Sequence, residues 1–334
     1  MTALASWMGG WRRVAQTGGL VLGVHALSFL LALPLALALR DQIAAQLGSS
    51  LAAGAVADGV NNDWWGEFTA QASGLGATFT PSIIGFASTL DTVSRVLDAR
   101  YPPPSVMWLL GGYLALWTFL SGGILDRYAR QRPTRAHGFF SASGRLFFRL
   151  ARLTAMAGIT YWLLFKYVHP WLFLDVLRDV TRGLGVERTS FLWRLLFYVV
   201  FGTVLLTINL AVDYARIRLV VEDRRSALGA LRASLRFLWR HPLQVTALYA
   251  LNAAGFVLLL ALWSVAAPGV YGSGLAMWTA FAAGQLYLLG RLAIKLHFLA
   301  SQTALFQSQL AHASYTAAPA PAWPESPAAE LIAR

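Results

Sequence analysis

Three observations predict an all-α membrane protein: a polytopic bundle of six transmembrane helices with amphipathic interfacial helices. Of 334 residues, 57% are hydrophobic and 13% charged, too apolar for an ordinary soluble fold, and the mean hydropathy of +0.54 agrees. Apolar runs of about 20 residues recur along the chain, the length that crosses roughly 30 Å of hydrocarbon. The arginines gather between such runs, seven in 126–152 and seven in 213–243. Spanning chains keep Lys- and Arg-rich loops on the cytoplasmic side, so these two elbows fix the orientation. The alternating pattern of a membrane barrel is missing from the sequence.

The spans fall at about 17–39, 106–125, 153–174, 191–212, 244–267 and 275–298, within a membrane domain covering 1–312. The first follows Trp7, Trp11, Arg12 and Arg13. A basic start before an apolar run also describes a signal peptide, but this run exceeds the usual apolar core of one and reads as a retained span. Pro34 is expected to kink it or be absorbed by neighbouring helices. The segment 40–105 carries six acidic residues against few bases, so it is placed outside, in a periplasm where there is one. Thr80-Pro81 is a helix start, and Ile83, Phe86, Leu90, Val93 and Leu97 recur on one helical face. Pro102-Pro103-Pro104 ends the segment.

The second span delivers the first elbow, where Arg145, Arg149 and Arg152 share one face opposite Phe147 and Leu150, a basic interfacial stripe. The fourth span delivers the second elbow. There an apolar line of Leu228, Leu231, Leu235 and Leu238 opposes Arg225, Arg232, Arg236 and Arg240, and His241-Pro242 marks the turn into the fifth span. Pro268-Gly269 and 272–274 make an outer turn. The Ala- and Pro-rich tail, 313–334, is expected to be disordered and cytoplasmic.

The formal charge of +12 lies beside apolar runs, so it is assigned to the membrane surface rather than to a nucleic-acid partner. With no cysteine, the chain has no disulfide, thiolate metal site or cysteine nucleophile. It holds no H-E-x-x-H, P-loop or G-x-S-x-G motif, and its six histidines are scattered. Ser121-Gly122-Gly123 reads as a packing contact. No enzyme, cofactor or metal site is therefore expected.

Polar groups within apolar spans are costly and are the natural candidates for chemistry. Asn209, Asp213 and Arg216 share a face of the fourth span, and Gln285, Arg291 and Lys295 lie on the sixth. One arrangement pairs Asp213 with Arg291 or Lys295; the other has each snorkel separately to the interface. Arg145, Arg149, Arg152, Arg232, Arg236 and Arg240 are candidate contacts for anionic inner-leaflet lipid. Trp64, Trp65, Lys166 and His169 are candidates for the outer interface. His25, alone in the first span, reads as a hydrogen-bonding partner of a neighbouring helix.

The two elbows also read as copies. Asp126-Arg-Tyr-Ala-Arg130 and Asp213-Tyr-Ala-Arg216 each close an inward-running span, and Arg145-Leu-Phe-Phe-Arg149 matches Arg236-Phe-Leu-Trp-Arg240. Either repeated helical hairpins or the convergence of interfacial sequences accounts for this. With these motifs the chain resembles a class of bacterial six-span inner-membrane proteins. Over about 108–300 it is distantly similar to the membrane domain attached to some glycerophosphodiester phosphodiesterases. Their catalytic domain has no counterpart here, so the resemblance implies no hydrolase activity. The function expected is that of a non-enzymatic accessory, scaffold or assembly subunit, acting through lipid or a membrane-protein partner. The alternatives are a small transporter with a polar path between spans four and six, and an intramembrane enzyme.

Overall fold

The computed structural model describes residues 2–48, 50–58, 61–79, 86–100, 104–268 and 274–312. Among them there are helices and no strand. The Thr80-Pro81 helix start, Pro102-Pro103, most of the outer turn at 269–273 and the tail 313–334 lie outside the described residues.

Four helices are long and apolar enough to cross a membrane: α2 (Gly18–Leu47), α6 (Pro104–Arg130) from Leu109 onward, α9 (Glu187–Val221) and α11 (Pro242–Ala266). The other two segments read as spans lie in α7 (Ala136–Leu163) with its continuation, and in α12 (Leu275–His312). Arg145, Arg149 and Arg152 on the one, and Gln285, Arg291 and Lys295 on the other, make both less apolar. At 1.5 Å per residue the 38 residues of α12 reach about 57 Å, longer than the roughly 30 Å of a hydrocarbon layer.

The elements differ from expectation where backbone chemistry intervenes. The part of the first elbow from Ala136 on and the start of the third span, up to Leu163, form one unbroken helix, α7, with no proline inside it. The second elbow is a separate helix, α10 (Ala227–Arg240). Ser226 caps it, its Oγ accepting from the Gly229 N–H at 3.1 Å, and Pro242 starts α11 after His241 leaves the helical conformation. Beyond α7 the helix widens into two π-helical stretches, Leu164–Val168 and Trp171–Val176, before α8 (Leu177–Thr181). Pro170 sits between them without an N–H to donate, and widening is how a helix accommodates such a break. Pro34, by contrast, lies inside α2 without ending it.

The packed core sits at the arginine-rich end. Leu120, Ile124, Leu125 and Tyr128 of α6 meet Leu210, Tyr214 and Ile217 of α9, Val245 and Leu248 of α11, and Leu296 to Phe306 of α12. The short first helix, α1 (Ala3–Ala15), lies along the last third of α12 and closes this core with Val14. Ser301, Gln302 and Thr303 are almost fully buried there, in a stretch beyond the expected end of the sixth span at 298. The α6–α7 seam is close because Gly122 and Gly123 face α7: a methyl group on Gly123 would lie 2.5 Å from Ser143 Oγ. The seam is therefore built from small residues, as in membrane bundles generally.

The opposite halves of the helices expose their apolar side chains, including Leu195, Val199 and Val200 of α9 and Leu258, Leu262 and Val265 of α11. The most apolar window of α2 is only 6% buried, and Val24 is its one buried residue. Such a continuous apolar surface suits contact with lipid. Between α2 and α6, α3 (Ala53–Asp58), α4 (Asn62–Gln71) and α5 (Phe86–Leu97) are short helices. Asn61 caps α4 by accepting from the Asp63 and Trp64 N–H groups.

Candidate functional site

The two elbows are clipped to one another. Asp126, at the foot of α6, accepts from Arg130 at 2.9 Å and lies 3.6 Å from Arg145 of α7. Arg149 reaches across to Asp223, in the turn after α9, and also toward the Arg224 carbonyl at 3.5 Å. Asp223 stands in the left-handed conformation, φ 47°, which short polar side chains tolerate better than most. Arg152 donates to the carbonyls of Phe148 and Arg225 at 3.2 and 3.4 Å. The reading of 145, 149 and 152 as a lipid-facing stripe is thus corrected for Arg149. Its side chain is only 18% exposed and its charge is paired with Asp223 rather than free for a lipid. Arg145 remains half exposed.

The second elbow has three faces. The face toward α9 is made of Ala227, Ala230, Ser234 and Phe237, all buried, and Ser234 Oγ donates to the Ala211 carbonyl of α9 at 2.7 Å. Small residues let the two backbones approach closely, which the leucine line would prevent. Leu228 and Leu235 of the leucine line are exposed, as is Trp239, while Leu231 and Leu238 are half-buried against the core. The third face presents Arg232, Arg236 and Arg240.

These three arginines line a cavity of about 470 Å³ with Arg218, Arg224, Gly229, Ala233, Phe237, His241, Gln309 and Leu310. One carboxylate, Glu222, serves this group: it pairs with Arg218 at 2.9 Å and with Arg224. Among the described residues no carboxylate pairs with Arg232, Arg236 or Arg240. Arg218 lies in the repulsive field of both Arg224 and Arg236 and rests its guanidinium over the Phe306 ring, 4.8 Å from the centroid.

The polar residues of the long helices take separate partners. Asp213 pairs with Arg216 at 3.2 Å, and Asn209 donates to its other oxygen at 3.4 Å; both charged side chains are mostly buried. The ion-pair partner of Asp213 is thus a neighbour one turn away, not Arg291 or Lys295. Lys295 donates to Tyr113 Oη at 2.9 Å and sits 3.4 Å from the Trp117 ring centroid. Arg291 lies over Phe256 and Tyr287. The Gln285 carbonyl oxygen is buried without a hydrogen-bond partner.

At the other end, Trp64 is buried in an aromatic cluster with Trp65, Phe68 and Phe79 rather than laid open to a headgroup layer. Lys166 lies over Trp162 and Tyr167 at 4.5 and 5.4 Å. His169 stacks on Phe173, and its Nε2 is 2.7 Å from the Leu97 carbonyl at the end of α5. A second tie was not apparent in the sequence: Tyr198 Oη donates to Asp98 at 2.7 Å. That bond, with smaller help from Ser94, Arg100 and Arg194, holds the Asp98 carboxyl below its ordinary value of 3.8. A carboxylate with a depressed folded pKa stabilises the folded state above its ordinary pKa and loses that contribution as pH falls through the lower value. The docking of α5 is therefore expected to be complete at neutral pH and to weaken only under strong acid, below the ordinary carboxylate range. Tyr198→Phe should loosen the end of α5 at all pH values, leaving the His169 contact, seen as faster amide exchange over 94–100; unchanged exchange would contradict this tie.

Also unforeseen is the junction of α1 with α12. His297 Nε2 lies 2.9 Å from the Trp7 carbonyl and its ring stacks on Trp11, while Asn252 of α11 donates to Ser301 Oγ at 3.0 Å. Arg13 donates to the Tyr128 carbonyl at 2.9 Å, and burial lowers its pKa to about 10, leaving it charged at neutral pH.

The architecture defines an all-helical protein with four helices long and apolar enough to cross a membrane. No protein-family model, curated protein or solved structure matches the chain.

Proposed function

We propose that this is a six-span, non-enzymatic membrane protein of the bacterial inner membrane. Both termini and both elbows lie in the cytoplasm, and it acts as an accessory, scaffold or assembly subunit through anionic lipid or a protein partner. The observation that carries the reading is the concentration of structure at the arginine-rich end. The core, the elbow clip and a cluster of unneutralised arginines all lie there, beside outward-facing Leu228, Leu235 and Trp239. An apolar flank next to a basic face suits the boundary between headgroups and acyl chains. The polar groups between α9 and α12 have separate partners, which favours this reading over a transporter's convergent site.

The hairpin repeat belongs to the same proposal. Tyr128 and Tyr214, the tyrosines of the two D-x-Y-A-R-like motifs, are both fully buried, and in each motif the arginine pairs with the aspartate. The difference between the copies is Pro242, which bends the second elbow where the first runs straight. The distant likeness to the phosphodiesterase-attached membrane domain is proposed on the same residues.

The absence of cysteine makes the topology directly testable. Gly185→Cys is expected to react with a membrane-impermeant maleimide in intact cells, and Thr134→Cys and Ser226→Cys only after permeabilisation. Labelling of Ser226→Cys from outside would overturn the six-span arrangement. Native purification with mass spectrometry tests the role: a stoichiometric protein or lipid companion is expected, and a bare, lipid-free chain would count against it.

A further inference from the structure

The cavity between α10, the end of α9 and the end of α12 is more than a basic surface. We infer that it is a binding site for a phosphate-bearing anion, either the headgroup of an anionic phospholipid or a free phosphorylated small molecule. The inference rests on the topology proposed above only for the choice between these two sources.

Three features converge. Arg232 and Arg236 are one turn apart on α10, and Arg240 follows one turn later, so three guanidinium groups line one wall without a carboxylate to neutralise them. Like charges at this spacing repel, a cost that a bound anion relieves. Glu222, only 9% exposed, is held by both Arg218 and Arg224, which also line the cavity. Planar guanidinium forks suit the oxygens of a phosphate, which can accept two parallel hydrogen bonds from each. Finally, Phe237 and Leu310 add an apolar part to the cavity's lining, and Gln309 is held by donating to Gln244 at 2.7 Å. A volume of about 470 Å³ falls within the range of small-molecule pockets and exceeds what an inorganic ion fills. The cavity thus has room for a phosphate carrying an organic substituent, with Phe237 and Leu310 as the less polar part of its lining.

The full chain, purified in a neutral detergent, is titrated with glycerol 3-phosphate at constant ionic strength. In parallel it is reconstituted into nanodiscs of phosphatidylcholine with and without phosphatidylglycerol, and lipid retention is read by native mass spectrometry. The variants are Arg232→Gln/Arg236→Gln and, as a control far from the cavity, Arg178→Gln/Arg182→Gln. Circular dichroism and gel filtration confirm that each is folded. Arg232 and Arg236 hold no protein ion pair, so their removal is expected to leave the fold intact. Saturable binding of glycerol 3-phosphate that falls at least roughly a hundredfold in the Arg232/Arg236 variant, and not in the control, identifies a free phosphorylated ligand. Retention of phosphatidylglycerol by the native chain and the control, lost in the Arg232/Arg236 variant, identifies a lipid headgroup. Equal binding by all three proteins, or none by the native chain in either format, overturns the site. Maleimide labelling of Ser226→Cys from outside overturns the topology instead, and leaves the detergent titration as a valid test of the cavity.

Discussion

Gly10→Val is expected to unseat α1 from α12 and destabilise the whole arginine-rich end. Even the methyl group of alanine at this position would stand 2.7 Å from Ser301 Cβ and 2.9 Å from its Cα and backbone nitrogen. Because the obstructing atoms belong largely to backbone, no rotamer change relieves the clash. Overpacking of this kind costs about 1–3 kcal/mol for a single added group, and valine adds more. The loss extends beyond packing, since α1 also carries Arg13 to the Tyr128 carbonyl and offers the Trp7 carbonyl to His297. Thermal unfolding in detergent should shift markedly downward, with new proteolytic cleavage within 1–16. Gly9→Ala is the matched control: its methyl would meet Ala304 Cβ at 3.7 Å, an ordinary contact. Equal stability of the two variants would refute the close crossing.

Arg216→Ala is the second large effect. Arg216 and Asp213 are 18% and 14% exposed, so removing the arginine leaves a carboxylate without its cation in surroundings that solvate it poorly. Breaking one partner of a buried pair costs about 3–5 kcal/mol, whereas replacing both is often close to neutral. Arg216→Ala should therefore be much less stable than Asp213→Ala/Arg216→Ala, measured as the midpoint of denaturant unfolding. A double variant as damaged as the single one would mean that Asp213 has another strong cation. Lys295, which contributes only a long-range field at Asp213, is the one to examine.

How much of this was legible in the sequence follows from which forces leave a local signature. Hydrocarbon length and arginine placement are local properties, and the long helices and both elbows were readable from them. The leucine line of α10 marks it as amphipathic but does not show which residues touch α9. Within a membrane the lipid is as apolar as leucine, so close helix contact selects small residues instead, and Ala230 and Ser234 took the buried positions. The last third of α12 was missed for a related reason. Ser301 and Thr303 reduce hydropathy, yet their hydroxyls donate to the Phe298 and Leu299 carbonyls of their own helix and can be buried satisfied. Arg149 escaped because its partner Asp223 lies 74 residues away, a distance at which a single sequence carries no pairing signal. The candidate cavity was half legible: Arg232, Arg236 and Arg240 were identifiable as a face, but the rest of the lining, with Arg218, Arg224 and Gln309, is a tertiary feature.

The contact between α1 and α12 has a consequence for the making of the protein. The Trp7 carbonyl waits for His297, 290 residues later. At synthesis rates of about 5–20 residues per second, this is a delay of roughly 15–60 s. Until then Gly10 and Trp11 lack Ser301 and His297, their contacts on α12. The contact between α1 and α12 therefore forms late in synthesis, and the arginine-rich core is complete only once α12 has arrived.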